Sequence, residues 1–355
     1  MYNRKELTKE LFSKISKEDR ESLKERWEKE TKRRAHLVSM NSIVLKAFHY
    51  DLLKIVAWVR KLGFAGLEVR FQDLFGFTGK LDAAKIKILK EKDIVLGFHM
   101  SDWAHWTAMW NNETSSIENL FGSQKEARAY FGGIGRKTIL ERWREELELG
   151  HYLKSQYFIF HAHEVDLNSF FTHTFYHTDK EVIQTTKEAL SALDVPNVAI
   201  ENGNTFSSGV RRLADFDRLS SRNIVIDTAH LESVVMEETY AQGYESFENI
   251  FTSEVSEWAR TNRARIIHLS DSYFTNQHTK PRINWRPLSF FEKRRLASRD
   301  NRFFDHLPVG TNALHMKKLI NILNPKFVVH ELKVEPLEIL EKAYIVQKHH
   351  LTKDA

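Results

Sequence analysis

From about residue 36 onward, short apolar runs alternate with longer amphipathic stretches. The runs are HLVSMNSIV (36–44), AGLEVR (65–70), DIVLGFH (93–99), QYFIFH (156–161), NVAIEN (197–202), NIVIDT (223–228), RIIHLS (265–270) and KFVVHE (326–331). Between them, 50–62, 83–92, 137–154, 179–193, 246–260, 312–323 and 336–348 carry apolar residues at helical spacing. Strands alternating with helices predict a parallel sheet with helical crossovers. Eight such units make an α/β chain with the count of a (β/α)8 TIM barrel. A doubly wound open sheet is the rival arrangement. No Gly-x-Gly-x-x-Gly turn follows the first run, which counts against it.

The pattern divides the chain into an N-terminal helical extension (1–35) and a barrel (36–350). In the extension Leu7, Leu11, Ile15, Leu23 and Trp27 recur at roughly helical spacing among many charges. Two connections exceed the usual length of roughly 4–6 residues. The one after the third run (100–136) holds Trp103, Trp106 and Trp110. The one after the seventh (271–310) holds Arg282, Trp285, Arg286, Lys293, Arg294, Arg295, Arg299 and Arg302. Both follow strands, so both belong on the C-terminal face, where barrel active sites lie.

The run ends carry the chemistry. The third ends at His99, the fourth at His161, and the next four at Glu201, Asp227, His268 and Glu331. In a closed barrel these ends ring one pocket. A lone histidine at a strand end is ordinarily a satisfied polar group. Six such groups in register are harder to explain that way, because buried imidazoles and carboxylates are costly unless paired or coordinating. Two further motifs point at the same rim. In Asp227-Thr-Ala-His230 the imidazole follows the carboxylate by three residues, and His306 with neighbouring Asp305 opens the turn His306-Leu-Pro-Val-Gly310. His330 neighbours Glu331, so strand alternation turns it to the opposite face, where it reads as structural. His163 and Glu164 could line the rim. His36, His49, His151, His315, His349 and His350 read as surface or helix residues.

Composition narrows the chemistry. Cysteine is absent, which excludes disulfides, thiolate zinc sites and cysteine nucleophiles. Any transition-metal site must use imidazole and carboxylate, donors that suit Zn, Mn or Fe. The chain has 53 Lys+Arg against 48 Asp+Glu, a net charge of +5 that permits an anionic partner without demanding one. No apolar run approaches the roughly 20 residues that span a bilayer. The start, MYNRKELTKELF, lacks the apolar core of a secretory signal. A cytoplasmic protein without membrane contact is the expectation. Nothing in the sequence speaks to oligomeric state.

VAIEN, IDTAH, HLSDS, DHLPVG and the glutamate of FVVHE resemble the xylose isomerase-like TIM-barrel superfamily, which includes sugar isomerases and epimerases and endonuclease IV. The resemblance covers about 36–348. Similarity to endonuclease IV implies a first zinc on His99 and His161 bridged by Glu201, and a second on Glu201, Asp227, His268 and Glu331. It implies a third on His230 and His306, with an aspartate two residues before the last histidine. Phe304 stands at that place and Asp305 follows it. The Tyr-Leu-Ile-Asn stretch after the first histidine is replaced by MSDWAHW, and LESVVME stands where Gly-Tyr-Asp would follow the DTxH motif. Similarity to the isomerases implies one Mn, Mg, Co or Zn on Glu201, Asp227, His268 and Glu331. The two glutamates would then shuttle the proton of a sugar carbon, but the arginine expected shortly after His268 is missing.

Two enzyme readings follow. The first is a multinuclear, zinc-type phosphodiesterase acting on nucleic acid. Two or three divalent ions per chain are expected, zinc first, with Mn, Mg, Co or Fe as the other candidates. The alternative is a divalent-metal-dependent sugar or sugar-phosphate isomerase or epimerase with Glu201 and Glu331 as acid/base pair. A non-catalytic binding protein on the same scaffold is the third reading, against which the complete pocket speaks. The candidate catalytic residues are Glu201, Glu331 and His230. The candidate ligands are His99, His161, Glu201, Asp227, His230, His268, His306 and Glu331. Trp103, Arg286, Arg294, Arg295 and Asp305 are the candidate substrate contacts.

Overall fold

Each of the eight runs contributes a strand, and alternation along those strands sorts core from site. The strands in chain order are β1 (Ala35–Met40), β2 (Gly66–Arg70), β3 (Val95–His99), β4 (Phe158–His161), β5 (His163–Val165), β6 (Val198–Glu201), β7 (Ser207–Gly209), β8 (Ile224–Asp227), β9 (Ala264–Leu269), β10 (Asp271–Phe274), β11 (Phe303–Leu307) and β12 (Phe327–His330). The structure is a computed structural model that describes residues 4–76, 80–101, 104–131, 133–167, 169, 175–195, 198–219, 223–239, 244–261, 263–274, 288–290, 292–293, 303–309 and 316–352, with only the backbone described at 129–131, 244–248, 272–274 and 303–305.

Eight strands close into a barrel in the order β1-β12-β9-β8-β6-β4-β3-β2, every pair parallel. This is the expected (β/α)8 fold. On the C-terminal face two short antiparallel ladders, β5–β7 and β10–β11, rise from the loops. Outward-facing residues such as Phe98, Phe158, Ile200 and Ile226 join the large core between barrel and helices. Inward-facing Leu37, Tyr157, Ile159, Ala199, Val225, Ile266, Phe327 and Val329 form a separate apolar plug inside the barrel. Two residues further along β4, β6, β8 and β9, the same face delivers His161, Glu201, Asp227 and His268. Period-two alternation puts every one of them in the layer above the plug.

Local chemistry sets the helix starts. Thr178 and Glu181 form a capping box at the start of the helix Asp179–Leu193. The first run splits for a similar reason. The Asn41 side chain accepts from the backbone N–H groups of Ile43 and Val44, so Ser42–Ala47 is a helix and β1 stops at Met40. The extension forms two helices, Arg4–Ser13 and Lys17–Thr31. Leu7, Leu11 and Ile15 pack with Leu307 and with Val346 of the last helix, Leu337–Thr352. Trp27 donates its indole N–H to Gly63 O at 3.0 Å.

The long connection after β3 is largely helical, and one expectation, that for His36, needs correction. The connection after β3 carries three short helices, Trp106–Asn111, Thr114–Phe121 and Gln124–Phe131. Trp106 and Trp110 are buried against Trp143, with ring centroids 5.5 and 6.0 Å apart. They are core residues beneath the C-terminal face. His36 is a fully buried residue of β1, not a surface one. Its Nδ1 lies 2.9 Å from His330 Nε2 on the outer side of the barrel, and its Nε2 lies 3.3 Å from Glu30. Parallel pairing of β1 with β12 brings these outward-facing rings together, as the alternation argument for His330 requires.

Candidate metal centre

Among the described residues, four groups of three histidines or acids offer donor atoms within 4.8 Å of one another, and three of them overlap at the barrel mouth. The first is His99, His161 and Glu201. Parallel pairing sets His161 directly beside Glu201, and His99 arrives one strand further round. His99 Nε2 and His161 Nε2 are 3.0 Å apart, and each is 3.1 Å from Glu201 Oε2. Zinc bonds of about 2.0–2.1 Å place tetrahedral ligands about 3.3 Å apart, so this triangle has the dimensions of one face of such a site. His99 Nδ1 lies 2.8 Å from Met100 O, which fixes the N–H there and turns the Nε2 lone pair inward.

The second group is Glu201, Asp227 and His268, with Asp227 and His268 in register on β8 and β9. His268 Nδ1 is 3.0 Å from Glu201 Oε1, 3.6 Å from Glu331 Oε2 and 3.9 Å from Asp227 Oδ2. The third is Asp227, His230 and His306. His230 N donates to Asp227 Oδ1 at 3.0 Å, because the helix Thr228–Thr239 starts at the strand end. His230 Nδ1 lies 3.0 Å from Asn202 O, leaving Nε2 for the cavity. His306 comes from the β10–β11 ladder, with Nδ1 3.3 Å from Ser270 Oγ and its ring 5.7 Å from that of His230. Its φ of 57° is a left-handed conformation uncommon for a residue with a side chain. Asp227 completes this group.

The electrostatics suit a cation. Burial pushes the Glu201 carboxyl up, but His268 and His161 outweigh it and hold it well below the usual carboxylate range. Burial also raises Glu331, but His306, Lys333, His268 and Arg70 bring it down to about 2. Asp227 moves the other way, raised by burial and only partly offset by His230 and His306. Burial disfavours a charged His268, yet Glu68 and Glu201 hold its pKa well above the ordinary value. Asp227 Oδ2 and His268 Nδ1 are both buried and neither makes a directed hydrogen bond among the described residues. Polar atoms in that state are expensive unless something binds them. An imidazole–carboxylate donor set with two such atoms fits a divalent ion.

The eight predicted ligands therefore converge on one pocket. Trp103, Arg286, Arg294 and Arg295, and the side chain of Asp305, lie outside the described residues. The basic stretch of 282–302 is described only at 288–290 and 292–293, where Lys293 is buried. Glu68 went unpredicted, although an acid inside AGLEVR was a visible signal. It is 1% exposed and its Oε2 sits 3.2 Å from His268 Nε2.

His163 and Glu164 part company. His163 stacks on His161 with centroids 4.4 Å apart. Glu164 turns away from the rim and meets His177. The His177 ring lies 2.9 Å from Glu164 Oε1 and 3.1 Å from Glu113 Oε2. Burial lowers its pKa, but the two carboxylates outweigh this and raise it from 6.5 to about 9. A raised histidine gives stability that is whole below its unfolded value and lost as pH climbs through its folded one. The urea midpoint should thus fall between about pH 6.5 and 9 in the wild type and change less in His177→Gln. Superimposable pH profiles would remove this pair of bonds from the account.

No family model and no curated protein matches the chain. Among solved structures it is similar to endonuclease IV from Thermus thermophilus, 14% identical, covering 89% of this chain and 98% of that one with a TM-score of 0.48. It is similar to a D-tagatose 3-epimerase-like protein, 13% identical, covering 89% and 96% with a TM-score of 0.48. A sugar phosphate isomerase/epimerase from Parabacteroides distasonis is 13% identical, covering 90% and 96% with a TM-score of 0.45.

Proposed function

We propose that the protein is a multinuclear, zinc-type phosphodiesterase of the endonuclease IV kind, acting on nucleic acid. The observation that carries this reading is the two-sided use of Glu201. Its Oε2 faces His99 and His161, and its Oε1 faces His268. A carboxylate with each oxygen turned to a different donor set is built to bridge two ions. Asp227 also belongs to two groups, with Oδ2 3.9 Å from His268 Nδ1 and 3.5 Å from His230 Nδ1. A mononuclear site would leave His99, His161, His230 and His306 without a task.

Divalent ions held by His99, His161, Glu201, Asp227, His268 and Glu331 would supply an activated water and Lewis-acid stabilisation of a phosphodiester's charge. The chain supplies the rest. Hydrogen bonds from His99 Nδ1 to Met100 O and from His230 Nδ1 to Asn202 O fix which nitrogen each ring presents. The His230 side chain, 12% exposed, reaches the rim where substrate would arrive. Arg70 and Lys333 stand partly exposed close enough to Glu331 to lower its pKa, and their charges suit a phosphate group.

The mononuclear alternative has one observation in its favour. Glu201 and Glu331 both reach His268 Nδ1, so one ion there would have a glutamate on either side. Elemental analysis of protein purified without chelator, paired with an abasic-site DNA cleavage assay, decides between them. Two or three ions per chain with strand cleavage is the expected result. One ion per chain with interconversion of a ketose and no cleavage would overturn the proposal.

A further inference from the structure

Glu68 and Tyr157 lie below the mouth and belong to none of the predicted sites, yet they form a chain that ends on His268. The Tyr157 hydroxyl donates to Glu68 Oε2 at 2.9 Å, and His268 Nε2 lies 3.2 Å from the same oxygen. All three are buried, at 5%, 1% and 0% exposure. They come from β2, β9 and the residue before β4, so the contact runs across the barrel interior rather than along neighbouring strands. The geometry is sterically prepared. A Cβ on Gly97 of β3 would stand 2.3 Å from Tyr157 Cζ and Oη, so only glycine at that place lets the phenol reach Glu68. Burial and the nearby Glu68 push the phenol well above its ordinary pKa, so it acts as a donor.

We infer that Glu68, held by Tyr157, is a positioning residue that locks the His268 ring through its Nε2–H and so presents Nδ1 to the ion between Glu201, Asp227 and Glu331. The inference rests on the metal reading of the site. A histidine ligand ordinarily gives its second N–H to a carboxylate, which fixes ring orientation and raises ligand basicity. Nδ1 faces the three acids and is without a directed hydrogen bond among the described residues, while Nε2 is occupied by Glu68. Glu68, His99 and His268 also offer donor atoms within 4.8 Å of one another. His99 Nε2, however, already lies 3.0 and 3.1 Å from His161 and Glu201. The oxygen of Glu68 that meets His268 also accepts the hydrogen bond of the Tyr157 hydroxyl. That shared oxygen ties Glu68 to the ring, while Glu68 Oε1 is buried without a hydrogen-bond partner among the described residues.

Glu68→Gln and Tyr157→Phe test this. Zinc affinity is read by competition with a chromophoric chelator, and ligand field by the visible spectrum after cobalt(II) substitution. Glu68→Gln should weaken the most affected ion by roughly 10- to 100-fold and shift the cobalt bands, with the ion count unchanged. Tyr157→Phe keeps the ring in place and should move both readouts the same way by less. The double variant should be no weaker than Glu68→Gln alone if Tyr157 acts only through Glu68. A merely structural role would lower the melting temperature of the metal-free protein while leaving cobalt bands and zinc affinity untouched, and that result overturns the inference. Loss of one whole ion in Glu68→Gln, with the remaining affinities intact, makes Glu68 a ligand and also overturns it. A wild-type protein that takes up no zinc or cobalt would instead sink the metal reading itself.

Discussion

Glu201→Gln should reduce turnover by on the order of 10³-fold while leaving the barrel folded. The carboxylate is 1% exposed and, among the described residues, is the acid common to the His99–His161 group and the Asp227–His268 group. Glutamine has nearly the same shape, so the plug beneath and the strands on either side have no reason to move. It removes one negative charge and turns one oxygen into an N–H2 donor, which has no lone pair to offer a cation. Charge stabilisation by bound metal is worth several kcal/mol, and each loss of about 1.4 kcal/mol is tenfold in rate. Far-UV circular dichroism should match the wild type, while elemental analysis should show fewer ions per chain. Turnover retained at the wild-type level would remove Glu201 from both catalytic readings.

Stripping divalent ions with a chelator should abolish activity and lower the melting temperature by several degrees, and zinc should restore both. The physical basis is the buried charge. Glu201, Asp227 and Glu331 meet inside one low-dielectric pocket, and among the described residues Asp227 Oδ2 has no hydrogen-bond donor there. An ion that binds the folded chain and not the unfolded one stabilises it by about 4 kcal/mol at a thousandfold excess over its Kd. For a chain of this size a change of that order moves the melting temperature by several degrees. Glu201→Gln should show a smaller shift on chelation than the wild type, since it starts with fewer ions. A melting temperature indifferent to chelator and zinc, in protein shown to be metal-loaded, would mean the pocket gains nothing from ions.

Much of this centre could be read from the chain. A histidine or acid at the end of an apolar run faces inward if the residue two before it does, and Ile159, Ala199, Val225 and Ile266 all do. His330 was separable from Glu331 on the same ground. The misreadings arose where period and direction were not enough. His36 has the polarity of a surface residue, but it packs against His330 beneath Trp27 of the N-terminal helices. For Trp106 and Trp110 the sequence shows only a long connection, and Trp143 of the helix Arg136–Tyr152 is what lies against both. Glu68 passed unnoticed because a single acid in a strand says nothing of its partner. That partner stands 200 positions further along the chain.

Local pattern thus determined the strands, the helices between them, the face each donor turns to and the absence of thiolate chemistry, because alternation in a strand needs only neighbouring residues. Tertiary structure decided which donors share a space. Closure and stagger of the strands bring His268 within reach of Glu68 and aim the two oxygens of Glu201 at separate groups. The β10–β11 ladder carries His306 back to the mouth. Those meetings depend on where strands end relative to one another around a closed cylinder, a quantity no short stretch of sequence contains.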